Sequence, residues 1–131
     1  MDKLKNISLF ILILFYFAGG INHFRDPGSY LKLIPSYLPY PTLLNILAGV
    51  SEIGFALLLI PSSTRKFAAW GTILMLIAFL PVHISMIGDA PLKLGNISVT
   101  PLLAWVRLLL LQPLLILWAW WYTSDRLSPS S

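Results

Sequence analysis

The chain has 131 residues, of which 57% are hydrophobic and only 11% charged, with a mean hydropathy of +0.81. Soluble domains carry about 25% charged residues, so this composition excludes a water-soluble globule and defines a membrane protein, and the length allows one domain, 1–131. The lack of cysteine excludes disulfide and thiol chemistry, and the net charge of +4 is scattered singly or in pairs at the ends of apolar runs, which excludes a nucleic-acid-binding patch.

Apolar stretches at about 7–24, 42–60, 67–87 and 101–122 are each long enough, at ~1.5 Å per residue, to cross a hydrocarbon core of roughly 30 Å. They predict an all-α fold, an integral membrane four-helix bundle. The first stretch follows Lys3 and Lys5, as a signal peptide would. Its length and the bulky Tyr16 at position −3 of the small-residue site near Ala18 favour a retained span.

After span one, "FRDPGSYLKLIPSYLPYPT" forms an outer loop rich in proline and tyrosine. Asp26-Pro27 is a helix-start signal, and Tyr30, Leu31, Leu33 and Ile34 predict a short amphipathic helix in the interface, with Tyr37 and Tyr40 anchored at headgroup level. Span two carries Glu52 near its middle and also contains Asn45 and Ser51. "PSSTRK" then makes a short hairpin in which Pro61 ends one helix and Ser or Thr can cap the next. Span three contains Pro81 and His83, and the loop "GDAPLKLGNISV" reads as polar and turn-rich, its "NIS" glycosylation pattern being a chance match. Span four contains Arg107, Gln112 and Pro113 and ends in Trp118, Trp120, Trp121 and Tyr122, an aromatic belt marking the inner membrane face. The tail "LSPSS" reads as disordered.

Four crossings put both termini and the 61–66 loop on one side. Lys3, Lys5, Arg65, Lys66 and Arg126 lie there, against Arg25, Lys32 and Lys93 opposite. The excess marks the cytoplasm, so both termini are expected on the cytoplasmic side.

Counting helical rise from the outer ends places Glu52 about 15 Å deep, Arg107 about 9 Å and Gln112 about 16 Å, with His23 and His83 at matching depth near the outer surface. These five side chains come from four helices and fall in the outer half of the bundle, which is the candidate polar pocket. Pro81 and Pro113 free the carbonyls of Ile77 and Leu109 in the same region. A charge at mid-membrane costs about 2.5 to 3.5 kcal/mol, so Glu52 must be compensated. It can be neutral and hydrogen-bonded, or paired with Arg107, which can otherwise snorkel to the surface. Gln112 fits a bridge between helices, and Gly19, Gly20, Gly49 and Gly54 fit close-packing positions. His23 and His83 could in principle ligate a haem, although no attachment motif accompanies them and haem is disfavoured.

The segments "FAGGINHF", "LPYP", "LAGVSEIGFALLLIPSSTRKFAAWG", "LPVHISM" and "LLLLQPLLILWAWWYT" together resemble the DoxX family of small four-helix bacterial membrane proteins. By this resemblance the family's span-one histidine falls on His23, its intramembrane glutamate on Glu52, its basic hairpin end on Arg65 and Lys66, and its span-four glutamine on Gln112. The chain departs from the pattern in having Pro81-Val82-His83 where relatives show Pro-x-Asn, and in placing Arg107 five residues before Gln112 instead of four. On a regular helix that separates the two by about 140°. The resemblance implies a membrane subunit or accessory of a redox or quinone-linked system, with a membrane or redox protein as partner and quinone as the candidate cofactor. The alternatives are a proton-coupled small-molecule transporter or enzyme using Glu52, working as a homodimer, and a purely structural or chaperone-like module.

Overall fold

A computed structural model describes residues 2–94 and 96–124. Arg126 and the "LSPSS" tail lie outside the described residues. The fold is all-α, with four apolar helical spans at Lys3–Arg25, Pro41–Leu58, Ser62–Asp89 and Pro101–Trp120. This is a small multi-pass membrane protein. Its outward faces carry large apolar side chains such as Phe10, Leu14, Leu47, Val50, Leu74, Leu109 and Leu117, a surface suited to acyl chains and not to water.

The first span is one helix, α1 (Lys3–Arg25), capped where Asp2 Oδ1 accepts from the Leu4 amide at 2.7 Å. Lys5, Leu9, Leu12, Tyr16, Gly20 and His23 recur every three or four residues and form its buried stripe. A turn at Asp26 leads into α2 (Pro27–Leu33), the expected short helix, and Tyr37 and Tyr40 beyond it are exposed. Its inner side packs on the bundle end, with Leu33 against the small core of Met86, Val99 and Ala104.

The second span, α3 (Pro41–Leu58), buries Asn45, Gly49, Glu52 and Ala56 and packs tightly on α1. A methyl group at Gly20 would stand 2.8 Å from the Gly49 carbonyl oxygen, and one at Gly49 would stand 2.7 Å from the Phe24 ring. Such an approach needs glycine, and dispersion over the close contact holds helices together where lipid removes the hydrophobic drive. Gly19 also faces α3, whereas Gly54 faces open space and is not a packing position. Gly71, by contrast, lies against the Phe55 ring.

The 61–66 connection does not cap the helix that follows. Instead Thr64 Oγ1 donates to Leu58 O at 2.6 Å, and Arg65 donates through Nε to Leu59 O at 2.8 Å and through Nη2 to Ile60 O at 2.6 Å. These bonds satisfy the carbonyls of Leu58, the last residue of α3, and of Leu59 and Ile60 just beyond it, and a cation there complements the helix dipole.

Span three divides at Phe79 into α4 (Ser62–Ala78) and α5 (Leu80–Asp89), because Pro81 cannot donate to the ladder. The following loop folds into a two-stranded antiparallel sheet, β1 (Leu92–Leu94) with β2 (Ile97–Val99), pairing Leu92 with Val99 and Leu94 with Ile97. Its apolar residues Leu92, Leu94 and Val99 pack beside Met86 and Ala104. Span four starts as α6 (Pro101–Val106), capped by Thr100 Oγ1 accepting from the Leu103 amide at 3.2 Å. It then widens into a π-helical turn, Arg107–Leu111, and continues as α7 (Gln112–Trp120). The wider turn ends two residues before Pro113, where an ordinary helix would press the proline ring on the Leu109 carbonyl.

At the end where α1 begins, α7 is tied back to α1. Trp118 Nε1 donates to Ser8 Oγ at 2.8 Å and Tyr122 Oη donates to Lys5 O at 3.0 Å. Tyr122 is only 1% exposed and Lys5 lies over the rings of Trp121 and Tyr122, so Tyr122 is a core residue and does not belong to the belt expected for it. Trp120 does remain on the outer surface.

Candidate functional site

The site lies toward the opposite end, beneath α2 and the hairpin. Glu52, 8% exposed, turns toward α1, where its Oε2 stands 2.5 Å from His23 Nε2. Its partner is therefore His23 and not Arg107. Glu52 Oε1 fits against Gly19, where a methyl group would come within 2.9 Å.

Asn45 fixes the state of this pair. Its Nδ2 donates to the His23 backbone carbonyl at 3.0 Å, and a carbonyl can only accept, so Oδ1 is the atom that faces His23 Nδ1 at 2.7 Å. Nδ1 must then carry hydrogen. The one remaining proton lies between Nε2 and Oε2, and whichever atom holds it, the pair is neutral overall. Burying a neutral, hydrogen-bonded pair avoids most of the desolvation that a lone carboxylate would suffer, which is why the span tolerates Glu52. With both ring nitrogens engaged, His23 has none left for haem iron.

Tyr30 connects the pair to the surface. Its ring stacks on the His23 ring at 3.8 Å between centroids, and its hydroxyl accepts from Asn22 Nδ2 at 2.8 Å. Burial pushes the Tyr30 phenol above the ordinary tyrosine range, so it stays protonated and keeps a hydrogen to donate. Above it lies a cleft of about 430 Å³ between the end of α1, α2 and the hairpin, with Asn22, Arg25, Asp26 and Asn96 among its polar lining and Leu33 and Ile97 among its apolar lining.

A second polar cluster joins the third and fourth spans. Arg107 Nη1 donates to Gln112 Oε1 at 2.6 Å, and Gln112 Nε2 donates to the backbone carbonyl of Leu76. Gln112 thus bridges helices, and the carbonyl that takes a side-chain partner is Leu76, one residue before the expected Ile77. The 140° separation of a regular helix does not apply, since the π-helical turn closes Gln112 N–H on Arg107 O and sets the two residues one above the other. Arg107 does not snorkel away from its partner. His83 is buried on α5, which packs against the π-helical turn, and its Nδ1 has no hydrogen-bond partner among the described residues, nor has Tyr16 Oη. Tyr16 lies within electrostatic reach of both Glu52 and Arg107. His23 and Glu52 are therefore in direct contact, Arg107 and Gln112 are in direct contact, and His83 bonds to neither group.

Sequence reasoning did not select Asn45, Tyr30 or Tyr16 for the site. Asn45 was detectable, because it stands seven residues, two helical turns, before Glu52 on one face. By sequence Tyr30 is only one of the residues of the short amphipathic helix after Asp26, with nothing to tie it to His23. Among the described residues no group of three or more His, Asp or Glu side chains comes together as a metal site.

Fold and site define a four-span membrane protein with a buried, neutral acid–imidazole pair under a polar cleft. The chain belongs to the family described as Domain of unknown function (DUF8561), whose sequence profile matches residues 12–123. No curated protein and no solved structure matches it.

Proposed function

We propose that the chain is the membrane-embedded accessory subunit of a redox, quinone-linked system, in which the Glu52–His23 pair takes up or returns a proton. The observation carrying this reading is the 2.5 Å approach of Glu52 Oε2 to His23 Nε2 inside an apolar bundle, a contact that requires one proton between them, with Asn45 holding the other ring nitrogen. Oxidation of a quinol releases protons along with electrons. A neutral pair that can gain or lose one proton takes up one of the two protons, the other leaving to water, while the two electrons pass to a redox partner. The resemblance of residues 17–123 to the DoxX family supports the same assignment. The Lys/Arg count supports cytoplasmic termini and the same resemblance supports a bacterial inner membrane, so that the cleft opens on the outer face.

Purification from native membranes in mild detergent, with lipid extraction, tests the reading. Co-purification with a redox protein, quinone in the extract, and loss of quinone-dependent turnover in Glu52→Gln are the expected results. A partner-free, quinone-free preparation, or full turnover in Glu52→Gln, overturns it.

The cleft favours a second reading, a proton-coupled small-molecule transporter or enzyme assembled as a homodimer. Tyr30 links that cleft directly to His23, as coupling a solute to a proton requires. Proton flux into vesicles that depends on a solute and vanishes in Glu52→Gln would select this reading over the first.

A further inference from the structure

The cleft has a charge pattern of its own, independent of the redox reading. Arg25 and Asp26 stand side by side where α1 turns into α2, and both line it. Successive side chains at a helix end point apart, and among the described residues no ion pair joins these two. Each is oriented by a neutral neighbour instead. Arg25 donates through Nε and Nη2 to Asn22 Oδ1, at 2.9 and 2.5 Å, and Asp26 Oδ2 accepts from Ser29 Oγ at 2.7 Å. Asn22 is in turn held by its Nδ2 bond to Tyr30. These bonds fix the direction of both groups without cancelling either charge, so the cleft presents a positioned cation and a positioned anion beside an apolar wall that includes Leu33 and Ile97.

We propose that this cleft binds a zwitterion, with its acidic group on Arg25, its ammonium on Asp26 and its apolar part on the wall. A lone anion would meet Asp26, and a lone cation would meet Arg25, so neither matches the site as a molecule carrying both does. The volume of about 430 Å³ falls within the range of small-ligand sites. Two sources share this chemistry. One is a free amino acid, and the other is the headgroup of an aminophospholipid, since the cleft stands at the end of the spans where headgroups lie.

Calorimetric titration of the full chain in detergent with leucine and with phosphoethanolamine, alongside phosphate and ethylamine alone, tests the proposal. Native mass spectrometry after reconstitution with phosphatidylethanolamine and phosphatidylglycerol covers the lipid source. At least one zwitterion should bind, about ten-fold or more tighter than either single-charge probe, and Arg25→Gln and Asp26→Asn should each weaken it roughly ten-fold. Arg25→Lys should retain binding within a few-fold, and thermal melts of each variant separate loss of the site from loss of the fold. Saturable binding of a free zwitterion assigns a soluble ligand. Selective retention of phosphatidylethanolamine, with no heat from the free probes, assigns the headgroup. Absence of both, equal binding of phosphate alone, or wild-type binding by an Arg25→Gln, Asp26→Asn double variant overturns the proposal.

Discussion

Asn45 and His23 exchange two hydrogen bonds, one to the imidazole and one to the backbone carbonyl, and so a side chain on the second span dictates which ring nitrogen on the first carries hydrogen. Replacing Asn45 by alanine leaves the His23 Nδ1–H buried without an acceptor. The expected loss is about 1 to 3 kcal/mol, read as a lower melting temperature in detergent. An unchanged melt would mean that the ring is not held by this bond.

Glu52→Gln and Glu52→Ala should separate. The glutamine amide can still donate to an unprotonated His23 Nε2, so its cost is expected to stay within about 1 kcal/mol. Alanine strands the imidazole and opens a cavity, for an expected loss of about 3 kcal/mol. Chemical denaturation of both variants in the same detergent makes the comparison, and equal losses would contradict a neutral, exchangeable pair.

Glycine substitutions along α3 should be strongly position-dependent. Gly49→Ala forces its methyl into the Phe24 ring and the His23 Cβ and should destabilise by about 1 to 3 kcal/mol, whereas Gly54→Ala meets open space and should be neutral or stabilising by up to about 1 kcal/mol. Melting temperatures of the two variants should therefore move in opposite directions, or only the first should move.

The contact between Arg107 and Gln112 depends on the π-helical turn ahead of Pro113. A double-mutant cycle, Arg107→Ala with Gln112→Ala, should give a coupling of about 0.5 to 3 kcal/mol in the parent chain. In Pro113→Ala the turn can relax to a regular helix, rotating the two apart, and the coupling should fall toward zero. Coupling that survives Pro113→Ala would show that the turn has another cause.

Membrane residence, four spans, the short helix after Asp26 and the inward turn of Glu52 all follow from the sequence. Hydropathy, proline positions and the cost of a carboxyl in lipid act along the chain or on single residues, so they need no knowledge of neighbours. Rotation of each span is harder to read, since the faces toward lipid and toward protein are both apolar, and only small and polar residues such as Gly20, Gly49 and Asn45 mark the inner one. Pairing was decided by the tertiary structure. Glu52 meets His23 and not Arg107 because close packing at Gly20 and Gly49 brings the first two spans together, and Arg107 meets Gln112 because one widened turn cancels a rotation that a regular helix would impose. Tyr30 reached the site, and Tyr122 left the membrane surface for the core, for the same reason. The partner of a polar side chain depends on how helices cross and turn relative to one another, a property of the assembled bundle that no single stretch of the chain contains.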